Sequence, residues 1–101
     1  MKNIYVDIDE TICYYKDKRE YHLAKPIISN ISKINKLFNE GNQITYYTAR
    51  GSVHKDRLDE YFHLTECQLE EWGCKYHKLS VGEKPAYDLM ICDKTKRIEE
   101  I

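Results

Sequence analysis

Ile4, Tyr5 and Val6 form a short, almost unbroken apolar run that passes straight into Asp7-Ile8-Asp9-Glu10-Thr11. A run of this kind is the signature of a central parallel strand covered on both faces. Two carboxylates at its end are costly to bury unless something pairs with them. The chain is therefore expected to build a sheet whose edge supplies partners for Asp7 and Asp9.

The rest of the sequence supplies the elements for such a sheet. From Pro26 onward, Ile27, Ile28, Ile31, Ile34, Leu37 and Phe38 recur at helical spacing, with Pro26 suited to the first turn and Gly41 to the stop. Ile44 to Tyr47 reads as a second strand, followed at once by Thr48-Ala49-Arg50-Gly51. Ser52 suits the cap of a second helix whose stripe is Leu58, Tyr61, Phe62, Thr65, Leu69 and Trp72, ending at Gly73. Lys75 to Leu79 is a weaker strand, and Leu89 to Cys92 a short apolar one that ends at Asp93. Between Ile12 and Lys25 no period is sustained, so this segment reads as a loop or small hairpin forming a flap near the first acids. The order strand, helix, strand, helix, strand, strand predicts an α/β fold with a mostly parallel sheet and right-handed crossovers.

At 101 residues the chain has room for one domain, taken as residues 1–101. A formal charge of -1 and a pI near 6.4 give no basic field for nucleic acid or anionic membranes, which leaves a small molecule as the expected partner. No apolar stretch approaches the roughly 20 residues of a membrane span and no signal peptide is recognisable, so a cytoplasmic address is expected. The four cysteines, Cys13, Cys67, Cys74 and Cys92, lack zinc-site spacing and are expected as free thiols. His22, His54, His63 and His77 likewise lack metal spacing.

In parallel α/β sheets ligands sit beyond the carboxyl ends of the strands. Here those ends carry Asp7 and Asp9, Thr48 and Asp93, with Lys84 ahead of the last strand. Three carboxylates gathered at one edge repel one another unless a cation sits among them. Mg²⁺ fits best, because it takes few protein ligands and keeps waters for a substrate phosphate. A lysine and a hydroxyl nearby would hold phosphoryl oxygens, so the set describes phosphoryl transfer.

These residues resemble the haloacid dehalogenase superfamily of phosphohydrolases. Asp7-Ile8-Asp9-Glu10-Thr11 matches its DxDxT motif, Thr48-Ala49-Arg50 resembles its second motif, Lys84 its third, and Ile91-Cys92-Asp93-Lys94 its acidic fourth. The resemblance implies a Rossmann-like core with helices on both faces and no cap domain. It also implies Asp7 as the nucleophile that becomes an aspartyl phosphate, and Asp9 as the acid that protonates the leaving oxygen and then activates water. Thr48 would bind a phosphoryl oxygen, and Lys84 would neutralise Asp7 and the phosphate. Asp7, the Asp9 carbonyl and Asp93 would hold Mg²⁺. Arg50 stands as a candidate substrate contact, with a surface pairing role as its alternative.

The fourth motif carries Cys92 where small members often have a first acid, so Asp93 is taken as the ligand, with Asp88 as a reserve candidate whose first reading is structural. The wording of residues 84–94 also resembles small phosphatases of capsular and surface polysaccharide synthesis, which points to a sugar or polyol phosphate as substrate. A site without a cap gives a reason to expect a homodimer. The competing reading is a non-catalytic module of the same fold that binds metal or phosphate and regulates or assembles.

Overall fold

The computed structural model describes residues 2–18, 20–51, 55–82 and 89–91, with residues 55 and 89–91 described by their backbone alone. Strand β1 spans Asn3–Asp7, and two short strands, β2, Cys13–Tyr14, and β3, Lys25–Pro26, pair antiparallel. Helix α1 runs Ile28–Asn39, β4 Gln43–Thr48, α2 Leu58–Glu71, β5 Lys78–Val81 and β6 Leu89–Ile91. The main sheet has the order β5-β4-β1-β6 and is parallel throughout. An α/β fold with a parallel sheet is thus the observed architecture. No helix among the described residues is long and apolar enough to cross a membrane.

The register places the chemistry. Asp7 lies opposite Tyr47 at the end of the β1–β4 pair, so Thr48 leaves its strand beside the Asp7-Ile8-Asp9 segment. Ile8 extends the pairing by one bond, its N–H donating to the Tyr47 carbonyl at 3.2 Å.

The core sits on one face of this sheet. Ile4 and Val6 of β1 and Ile44 and Tyr46 of β4 join Ile31 and Ile34 of α1 and Leu69 of α2 in a single buried cluster. Both described helices therefore pack on the same side, and the expectation of helices on both faces is not met among the described residues. The reason is topological. Successive crossovers β1→β4→β5 step in one direction, and right-handed connections that do so deposit their helices on one face. The opposite face carries a smaller cluster of Tyr47 with Tyr5.

Several boundaries differ from the sequence reading. Pro26 is not in the first turn of α1 but in β3, because the Ile27 N–H donates to the Ile12 carbonyl at 2.8 Å and ties this stretch to the flap. The helix starts at Ile28, which is exposed, and its apolar face is anchored by Ile31 and Ile34. Gly41 does end it, at φ 97°, a left-handed value that glycine adopts without strain.

Helix α2 begins at Leu58 after a short 3-10 turn, Lys55–Arg57, so Arg57 rather than Ser52 holds its capping position; Ser52 itself lies outside the described residues. Phe62, expected in the core, is 38% exposed, and the buried residues of α2 are Thr65, Gln68 and Leu69. Strand β5 begins at Lys78, three residues later than the apolar pattern suggests. The segment before it is held by His77, whose Nδ1 accepts the Ile44 N–H at 3.1 Å while its ring stacks on Phe38.

Candidate active site at the carboxyl ends of β1 and β4

Immediately after β1 the chain turns sharply. The Thr11 and Ile12 N–H groups donate to the Ile8 carbonyl, and the Glu10 N–H donates to the Cys13 carbonyl at 3.0 Å. Glu10 takes up the turn with φ 65°, a left-handed conformation that costs a residue with a Cβ about 1–2 kcal/mol. Glu10→Gly is therefore expected to raise stability by up to about 1 kcal/mol, the strain relieved less the entropy glycine adds to the unfolded chain. A urea denaturation midpoint measures this. A lower midpoint would mean that the Glu10 side chain contributes more than its backbone costs.

The turn aims the Asp9 carboxylate back across the sheet edge toward residues that follow β4. Thr48 donates its hydroxyl to Asp9 Oδ2 at 3.2 Å and accepts the Arg50 N–H at the same distance. Arg50 Nη2 donates to Asp9 Oδ1 at 2.8 Å, and Nε lies 3.1 Å from Oδ2, a two-point grip on the carboxylate. The Tyr15 hydroxyl of the flap donates to the same Oδ1.

Arg50 is the centre of the arrangement and is 1% exposed. Its Nη1 donates to Thr65 Oγ1 at 3.2 Å and to Gln68 Oε1 at 2.5 Å, both on α2. Nη2 also reaches the Tyr15 oxygen at 3.3 Å, and the guanidinium sits 4.8 Å from the centre of the Tyr21 ring. Gln68 Nε2 in turn donates to the Tyr21 carbonyl at 2.6 Å. Asp9, α2 and the flap are thereby tied to one buried cation.

The electrostatics follow from this enclosure. Burial alone would push the Asp9 carboxyl up, but the hydrogen bonds and charge of Arg50, with the Tyr15 and Thr48 hydroxyls, outweigh it and hold the carboxyl below its ordinary value of 3.8. Burial pushes the Cys13 thiol up to about 12, reinforced by the Asp9 charge, so Cys13 is a neutral thiol packed against the pair. Because the folded Asp9 carboxyl lies below its unfolded value, the stability it contributes is complete above about pH 4 and is lost as pH falls through the folded value. A series of denaturation midpoints should be flat from this group between roughly pH 7 and 5 and drop below about pH 4. A midpoint that rises on acidification would contradict the ionised pair.

These placements bear on each expected site residue. Asp7 is half-buried at the end of β1, and Asp9 and Thr48 come together beside it. Arg50 is buried rather than a surface partner, with its N–H groups engaged by Asp9, Tyr15, Thr65 and Gln68. Thr48 is 1% exposed, with its hydroxyl on Asp9 rather than facing outward. Lys84, Asp88, Cys92 and Asp93 lie outside the described residues.

From the sequence Thr65 and Gln68 do not read as site residues, and Tyr15 reads as part of a solvated flap that could meet a substrate. The available signal was a pair of polar residues three apart on the inner face of α2, the mark of a buried group that needs partners.

Among the described residues no group of three or more acids, cysteines or histidines is gathered closely enough to hold a metal. The oxygen donors present at the β1 end are the Asp7 carboxylate and the main-chain carbonyl of Asp9, both hard ligands of the kind Mg²⁺ takes. The Asp9 side chain is committed to Arg50. Compared with family models, with curated proteins and with solved structures, the chain matches none.

Proposed function

We propose that this chain is a phosphohydrolase of the haloacid dehalogenase type, cleaving a phosphate monoester through an aspartyl phosphate on Asp7. A sugar or polyol phosphate is the first choice of substrate. The observation that supports this most is the convergence of Asp9 and Thr48 beside Asp7, at the carboxyl ends of two adjacent parallel strands. Mg²⁺ would be held by Asp7, the Asp9 carbonyl and Asp93, and would supply neutralisation of the phosphoryl oxygens. The acidic pI argues for neither nucleic acid nor membrane as partner, and the cytoplasm and a dimeric state belong to the same proposal.

In the first half of the reaction an Asp7 oxygen bonds to phosphorus as the bond to the leaving oxygen breaks. The leaving oxygen needs a proton, and an Asp9 held ionised by Arg50 does not carry one. A monoester entering as its monoanion does, since the second phosphate proton comes off near pH 6. Asp9 relays that proton to the leaving oxygen. In the second half a water attacks phosphorus, Asp9 accepts its proton, and Asp7 is restored as inorganic phosphate departs. With this division of roles, kcat/KM falls as pH rises above about 6. A pH profile that climbs through neutrality would require a different proton source.

The test is phosphate release from p-nitrophenyl phosphate and a panel of metabolite phosphates, with Mg²⁺ and with excess chelator. Turnover that disappears on chelation is the expected outcome. The alternative is a binding module that no longer turns over, and the engagement of the Asp9 carboxylate by Arg50, Tyr15 and Thr48 is what favours it. Binding of inorganic phosphate with no turnover on any of the panel would select it.

A further inference from the structure

A cleft of about 360 Å³ opens between the flap and the start of α2, lined by Glu20, Tyr21 and His22 on one side and by Glu60, Tyr61 and Leu64 on the other. Its size falls at the low end of small-molecule sites, which run from about 300 to 1,000 Å³. The topology puts it at the catalytic edge, since the flap leaves the carboxyl end of β1 and α2 follows the carboxyl end of β4. The Tyr21 ring that forms one wall rests on the guanidinium of Arg50, 4.8 Å away, and that guanidinium grips Asp9 at 2.8 Å. One guanidinium therefore separates the cleft wall from the Asp9 carboxylate.

We infer that this cleft receives the leaving group of the phosphoester, and that the leaving group is an uncharged, hydroxyl-rich one such as a sugar. The inference rests on the phosphohydrolase reading and narrows its substrate. Arg57 pairs with Glu60 at 2.9 Å, and Glu20 lies beside the His22 ring at 3.7 Å. A neutral ligand leaves the Arg57–Glu60 pair undisturbed, whereas a second phosphate or carboxylate would face two glutamates. Carboxylates, tyrosine hydroxyls and a guanidinium suit an array of hydroxyls that both donate and accept. Leu64 and the tyrosine ring edges offer apolar surface for the C–H face of a pyranose.

A nucleobase is a poorer fit. The two rings meet edge to face at 78°, so they present no parallel slot, and each already has a guanidinium over it, Arg50 on Tyr21 and Arg57 on Tyr61. A guanidinium covers one face of each ring, and the two rings do not lie parallel to sandwich a base between them.

The experiment is a titration of ¹⁵N-labelled protein, in Mg²⁺, with hexose 6-phosphate, glycerol 3-phosphate, adenosine monophosphate and inorganic phosphate. It reads binding whether or not turnover occurs. Hexose phosphate should shift the amides of residues 20–22 and 57–64, and inorganic phosphate should not. Leu64→Trp, which fills the cleft, should weaken hexose phosphate binding about tenfold or more, and Glu60→Gln should weaken it in the same direction should the tryptophan variant not fold. Shifts in these segments without phosphate release would uphold the cleft and sink the enzyme reading. Turnover of hexose phosphate with no shift in these segments would sink the cleft and leave the enzyme. Stronger shifts there from the nucleotide than from the hexose would overturn the ligand class.

Discussion

Asp7→Asn is expected to abolish phosphate release, by at least about a thousandfold, while the protein still folds. The amide is close in shape to the carboxylate and keeps the strand backbone, whose partner across the sheet is Tyr47. It lacks the anionic oxygen that bonds to phosphorus in the proposed scheme, so the proposed covalent intermediate could not form. The readout is phosphate release beside a thermal melt of the same sample. Activity retained in a folded Asp7→Asn protein would remove the nucleophile assignment, and with it the two-step scheme. Asp9→Asn is a different lesion, since it leaves the proposed nucleophile intact but strips the counter-charge from Arg50.

The second large effect concerns that cation. Arg50→Met should cost about 3–5 kcal/mol, the range for removing one partner of a buried ion pair. The loss strands the ionised Asp9 in a site where its side chain is 10% exposed, and leaves Thr65 and Gln68 to find other partners. Against the roughly 5–15 kcal/mol that holds a typical domain together, this is a large fraction. The double variant Asp9→Asn/Arg50→Met should be more stable than Arg50→Met alone, because no unpaired charge remains. Arg50→Lys should not restore the wild-type value, since an ammonium cannot grip Asp9 at two points and reach Thr65 and Gln68 together. Denaturant midpoints of the four proteins check this. Equal stability of the single and double variants would show that the two side chains do not act as a pair.

The strands that carry the site were legible because their local sequence and their burial agree. The apolar run ending at Asp7 and the run ending at Thr48 sit where the pattern put them, side by side in register. What could not be read was the destination of Arg50. A guanidinium that opens a loop is usually solvated, and nothing local says that it turns inward to meet a carboxylate 41 residues earlier.

The errors in α2 follow from the same cause. Its inner face is polar at Thr65 and Gln68 because a buried cation needs acceptors, so a rule that buries apolar residues turned the helix toward Phe62 instead. Pro26 misled for a different reason. Its fixed φ suits a helix start, but here the hairpin bond between Ile27 and Ile12 holds the segment extended.

The central claim is that the carboxylate at the end of β1 takes the phosphoryl group. Acid-quenching the Mg²⁺-loaded protein during turnover and mapping the adduct by mass spectrometry tests it most directly. One phosphoryl group is expected on the peptide that contains Asp7, and none in the Asp7→Asn protein. A phosphoryl group at another residue, or phosphate release that persists in the Asp7→Asn protein, would contradict it.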